Sequence, residues 1–129
     1  MAKICSYSAL AERVRGAFPR FLRKRLPTTV VVVCLNARES EKINLLYRGK
    51  KSATNVLSFR YGPDYGEVLV CPAVIRDEAR RDGQAFSYRM TWMVVHGMLH
   101  LAGVHHEKSP KMAQRFERVE KGILDILCF

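Results

Sequence analysis

The sequence predicts a single α+β domain of three to four strands and about five helices. Three observations predict it. The chain has 129 residues, a length for one domain and not for two. Hydrophobic residues make up 48% and charged residues 26%, a globular balance that supports a real core and argues against intrinsic disorder. Short valine-rich runs alternate with longer segments of helical period, with no repeat, low-complexity stretch or linker between them.

The elements follow in order. Leu10, Val14, Phe18 and Phe21 recur at helical spacing between Ser8 and Phe21. Arg13, Arg15 and Arg20 fall off that stripe, so an amphipathic basic helix is expected, its end left open by Pro19. After Arg23-Lys24-Arg25 and Pro27, the segment Thr28–Leu35 holds four consecutive valines and reads as a strand buried on both faces. Ser40 is placed to cap a short helix through Ile43, Leu45, Leu46 and Tyr47. Gly49-Lys50-Lys51-Ser52 is a loop and Asn55–Phe59 a second strand. Turn residues from Tyr61 to Gly66 lead to a third strand, Glu67–Cys71, which can pair with Val56–Phe59 as a hairpin. A charged helix is expected over Ala73–Ala85. Met90–Ala102 is apolar on nearly all sides and reads as the central buried helix, ended by Gly103. Ser109-Pro110 opens a last helix with Phe116, Val119, Ile123 and Ile126 on one face. Strand order is not legible in this pattern.

The net charge is +10 and unevenly spread. Residues 1–60 carry 13 of the 22 Lys and Arg but only three of the 12 acids, so the whole excess lies there. Such an excess points to polyanions, nucleic acid first and an anionic membrane surface second. No apolar run approaches the roughly 20 residues of a membrane helix, and no signal-peptide pattern opens the chain. Cys5, Cys34, Cys71 and Cys128 form no CxxC pair and read as reduced thiols of a cytoplasmic protein.

All four histidines fall within eleven residues: His96, His100, His105 and His106. His96 and His100 are four apart on the predicted central helix, so their imidazoles point the same way, one turn apart. Two imidazoles so placed can share a metal ion. The turn available at Gly103 can swing Val104-His105-His106 back toward the same face. Three ligands with one position left for water is the layout of a catalytic zinc site. A single buried histidine is more often satisfied by hydrogen bonds; several on one apolar helix are costly to bury without a shared partner. The His-x3-His helix is zincin-like, but Gly97 stands where a zinc protease carries its glutamate base. Peptide hydrolysis is therefore a poor expectation.

The segment His96-Gly97-Met98-Leu99-His100-Leu101-Ala102-Gly103-Val104-His105-His106 resembles the HGxLHLxGYDH signature of the YbeY family, bacterial endoribonucleases and rRNA maturation factors. Leu46–Phe59 resembles that family's YRGKDxPTDVLSFP block, and Gly66-Glu67-Val68-Leu69-Val70 its GDI-containing strand. The resemblance covers about residues 30–107. It implies one α+β domain, residues 1–129, with a mixed four-stranded sheet. It implies one Zn2+ ion per chain on His96, His100 and His106, and a functional arginine at Arg48. It implies metal-dependent cleavage of single-stranded RNA, maturation of the small-subunit rRNA 3′ end and ribosome quality control. The implied partners are rRNA, the small ribosomal subunit with one of its proteins, and an Era-type GTPase, with no membrane. The sequence departs from the family at His105, where an Asp is usual, at Glu67 in place of Asp, and at Lys51 and Arg60, which make the second block more basic.

On this reading zinc acts as a Lewis acid or acidifies a bound water. Arg48 stabilises the phosphorane charge, and Lys50, Lys51, Arg60, Arg23, Lys24 and Arg25 hold the RNA backbone. Glu107 follows the third histidine as a candidate base, with solvation or pairing to Lys108 the more ordinary role. Without the resemblance, Arg48 reads as a solvated cation at a helix end. Tyr47 and Tyr61 are aromatics that pack or stack on bases. The alternative function is a non-catalytic, zinc-containing ribosome-assembly factor that binds rRNA.

Overall fold

The computed structural model describes residues 3–4 and 7–127. Pro19 decides how the chain begins. The predicted first helix is split into α1 (Ser8–Ala17) and a single turn, α2 (Arg20–Arg23). Phe18, the residue before the proline, is extended at φ −68°, ψ 141°, as proline requires of its predecessor. That extra turn makes six helices among the described residues where about five were expected.

The other elements are β1 (Lys3–Ile4), β2 (Thr29–Cys34), α3 (Ala37–Arg48), β3 (Val56–Arg60), β4 (Tyr65–Val70), α4 (Pro72–Arg81), α5 (Phe86–Leu101) and α6 (Pro110–Ile126). The sheet runs β1-β2-β4-β3 and is mixed. β1 is a two-residue edge paired antiparallel to β2; the other three strands have five or six residues. β2 and β4 are parallel, with Val30 opposite Gly66 and Val32 opposite Val68. The expected hairpin forms: Val56 faces Val70 and Leu57 faces Leu69, antiparallel.

The valine run of β2 serves two cores. Val30 and Val32 join Val68, Val70, Val94 and Met98 on one face of the sheet. Val33 joins Leu35, Leu57 and Leu69 on the other, with Ile43 of α3 packed against them. α5 is buried along most of its length, as its all-round apolar character predicts. It crosses the sheet closely at Gly97, where a Cβ would lie 2.8 Å from Val68 Cγ1. The position next to His96 therefore faces the sheet, which is why no acid can stand there.

Two further expectations are corrected. Asn36, not Ser40, caps α3, and Glu39 completes a capping box. The cysteines are not all reduced thiols: Cys71 is free and buried, whereas Cys34 is disulfide-bonded. Spacing along the chain carries no information on which thiols the fold brings together. Cys5 and Cys128 lie outside the described residues. No helix among the described residues is long and apolar enough to cross a membrane.

Candidate metal centre and its cleft

His96 and His100 lie one turn apart on α5, ring centroids 5.0 Å apart. The helix then stops at Gly103, at φ +84°. Gly103 N–H donates to His100 O at 2.9 Å and Val104 N–H to Leu99 O at 3.0 Å, a Schellman turn that reverses the chain. Arg60 Nη1 donates to Leu101 O at 2.6 Å and closes the same helix end. The reversal brings the His106 ring to 5.2 Å from that of His96 and 5.0 Å from that of His100. One ring nitrogen from each of the three lies within 4.8 Å of the others. His105 stands outside the trio and lines a separate cavity of about 210 Å³ with Arg25 and Gly103.

The donor set suits a metal ion. Burial pushes the His100 imidazole down to about 4, with the neighbouring His96 next in effect, so its nitrogen is an unprotonated donor at neutral pH. His96 Nδ1 lies 2.8 Å from Oε2 of the buried Glu120. With its proton on Nδ1, His96 presents the Nε2 lone pair to an ion. The Phe116 ring backs all three imidazoles at 4.9 to 5.3 Å. The cluster can therefore hold one metal ion, with room for a further ligand on the cleft side.

Sequence reasoning missed Glu120. Its signal was present: with Phe116, Ile123 and Leu124 it occupies the buried stripe of α6. An acid on an apolar stripe is the anomaly to pursue. Ile126, expected on that stripe, is 62% exposed.

Arg48 ends α3 and lines a cavity of about 410 Å³ together with His96, His100 and His106. Buried polar groups put it there. Ser40 Oγ donates to Thr54 O and accepts from Thr54 N, both at 2.9 Å. Asn44 Nδ2 donates to Ser52 O at 2.9 Å. These bonds fasten α3 to the 49–55 loop, so Arg48 and Asn55 reach one cavity. Glu107 lines it too and turns to its own loop: Oε2 accepts from His106 N–H at 3.3 Å. A hydrogen bond from its own backbone amide holds the Glu107 carboxyl below the usual range.

The expected RNA-backbone residues divide. Lys50 and Lys51 are exposed on the loop after Arg48, and Lys24 and Arg25 on the turn after α2. Arg60 and Arg23 also bond to backbone within the fold. Arg60 is committed to the carbonyls of Arg25, Gly62 and Leu101, and Arg23 donates to Phe18 O at 2.9 Å. Each guanidinium covers carbonyls that a helix end or turn leaves open. The aromatics pack among themselves: Tyr47 stands edge-on to Phe59 at 4.9 Å, and Tyr61 donates to Glu67 Oε1 at 3.1 Å.

Fold and site define a class: α+β proteins whose central helix and following glycine turn present three imidazoles to a cleft bounded by an arginine. The chain belongs to the YbeY family, whose profile, described as endoribonuclease YbeY, matches residues 2–127. It is 30% identical over 123 residues to endoribonuclease YbeY of Thermotoga maritima, covering 92% of this chain and 82% of that one. It is 38% identical over 111 residues to endoribonuclease YbeY of Azoarcus sp., covering 78% of this chain. There the chain spans only 44% of the relative's length. A solution structure of a Thermotoga maritima protein superposes with a TM-score of 0.61 at 26% identity, covering 95% of this chain and 87% of that one.

Proposed function

We propose that this chain is a zinc-dependent endoribonuclease of single-stranded RNA, folded as one domain over residues 1–129. It acts in maturation of the small-subunit rRNA 3′ end and in ribosome quality control. One observation carries the reading: His96, His100 and His106 converge within 4.8 Å in a cavity that Arg48 also lines. Family membership supplies the substrate class.

A bound zinc ion supplies Lewis acidity and an acidified water. The chain's own groups do the rest. Glu120 fixes the tautomer and orientation of His96. The α5 pair with the reversed loop gives a zincin-like metal helix without a base at Gly97. Arg48 carries the charge that develops on the phosphodiester oxygens, with two parallel N–H donors. Lys50 and Lys51, exposed beside it, bind flanking phosphates. The small ribosomal subunit, one of its proteins and an Era-type GTPase are partners on the strength of the resemblance alone. Cytoplasmic location belongs to the same proposal and rests on the RNA-directed role, not on the cysteines.

The test is metal analysis of the purified protein joined to a single-stranded RNA cleavage assay with and without chelator. One zinc per chain with chelator-sensitive cleavage is expected. Full zinc with no cleavage leaves the non-catalytic rRNA-binding factor. Sub-stoichiometric metal in protein never exposed to chelator removes the site itself.

A further inference from the structure

The imidazoles stand between two cavities, and only one of them holds Arg48. The second, of about 640 Å³, shares Asn55, His96 and His106 with the first. Its size falls in the roughly 300–1,000 Å³ range of small-molecule sites. Its other walls differ in kind: Tyr88, Trp92 and Phe116 are aromatic, and Met93 and Leu124 are buried apolar residues.

Its charge also differs. Arg89 is buried; its terminal nitrogens pair with Glu78, Asp82 and Gln84, at 3.6, 3.1 and 2.9 Å, which offsets its charge, and its Nε is left without a partner. Lys121 pairs with Asp125 at 3.7 Å. Glu117 and Glu120 complete the lining. A phosphate would be repelled by these carboxylates, whereas a neutral, flat, aromatic group would not be. Trp92 lines this cavity, packed against the core, and offers such a group the part of its ring that Arg89 does not cover. The Arg89 guanidinium lies 4.6 Å from its ring centroid, and the Tyr88 ring lies at 6.3 Å. Because Arg89 is itself anchored three ways, the indole is held before any ligand arrives.

We propose that this second cavity is a nucleobase subsite, in which the base next to the phosphate at Arg48 stacks on Trp92. The proposal rests on the RNA-directed reading above and names where the strand's base goes. The shared residues give the geometric reason: a strand lying along His96 and His106 has its phosphate on the Arg48 side and a flanking base on the Trp92 side.

Trp92 is the sole tryptophan of the chain, so its fluorescence reports this cavity alone. The zinc-loaded protein is titrated with adenosine and cytidine monophosphates and, separately, with ribose 5-phosphate. The nucleotides are expected to quench Trp92 and the base-free sugar phosphate to leave it unchanged. Calorimetry on Trp92→Leu should show nucleotide affinity lowered about tenfold, the lower part of what base stacking is worth, with zinc content intact. Trp92→Phe, which keeps a stacking face, should restore part of it. Equal affinity for nucleotides and ribose 5-phosphate, with Trp92 silent, overturns the subsite. RNA cleavage assayed on the same preparations separates the two ideas. Cleavage without base binding removes the subsite and keeps the endoribonuclease; base binding without cleavage does the reverse.

Discussion

The two walls of the cleft are built by opposite means. The histidine wall is built by α5 and the turn after it, with Val94, Val95, Met98 and Leu99 of the helix fully buried. Its geometry is local: one helical turn, then a glycine turn closed by two backbone hydrogen bonds. The arginine wall sits on α3, which leaves Leu46 74% and Tyr47 63% exposed. It is held through polar groups, Ser40 and Asn44, reaching loop backbone 8 to 14 residues away. A wall set by packing fixes ligands to fractions of an ångström, which a metal requires. A wall set by a few hydrogen bonds at the surface can meet a long, variable polymer. On the proposed function, holding an ion and meeting a strand would fall to differently built parts of the cleft.

The sharpest break comes from the arginine wall. Arg48→Ala should lower RNA cleavage by about 100- to 1,000-fold, the usual loss when one transition-state donor is removed, while zinc content is unchanged. Arg48→Lys should recover only part, because an ammonium cannot give two parallel hydrogen bonds. Cleavage at the wild-type rate in Arg48→Ala would leave this wall without a chemical role. Glu120→Gln breaks the other wall. It should weaken zinc affinity by about 10- to 100-fold in a chelator competition, with cleavage restored by excess zinc. The two variants thus separate by metal readout, one silent and one not.

What is legible in the sequence follows the reach of each contact along the chain, on both walls. The His96–His100 spacing, the Gly103 turn and the Ser109 cap are short-range signals, and each is found where the sequence implies it. The cap of α3 lies four residues before Ser40, which is a good cap by type, because the Ser40 hydroxyl is taken by Thr54, a partner 14 residues away. Glu120 meets His96 across 24 residues, and Arg60 meets Leu101 across 41. No periodicity encodes such meetings. They exist only once the sheet has ordered β2 beside β4, and strand order was itself not legible.

Gly97 tests the packing that carries the histidine wall. Gly97→Ala puts a methyl 2.8 Å from Val68 Cγ1 and 3.3 Å from Val56 Cγ2. Overpacking of this kind costs about 1–3 kcal/mol, measurable by denaturant titration. A loss of zinc affinity should accompany it, since His96 is the next residue on the displaced helix. Added side chain at Leu46 should do neither, because nothing packs tightly on that exposed position. A stable, fully metallated Gly97→Ala would mean that the wall tolerates more movement than its burial implies.

The smallest effect concerns protons. In metal-free protein the His100 imidazole is pushed down to about 4 by burial, with His96 adding to it and Glu107 opposing. In the unfolded chain it titrates near the ordinary value of ~6.5. Between those values the unfolded state binds more protons than the folded one, so stability falls as pH falls from about 6.5 to about 4. Below that window both states are protonated and this group adds no further loss. The ring is only partly buried, so solvent screening reduces the full effect to about 1–2 kcal/mol. His100→Gln in chelated protein should flatten the slope, whereas Arg48→Ala should leave it as steep as in the wild type. A slope unaltered by His100→Gln would assign the acid sensitivity to another group. A bound metal ion would occupy the nitrogen that the proton takes. Loading the ion should therefore protect the fold through the upper part of the window, until falling pH displaces it.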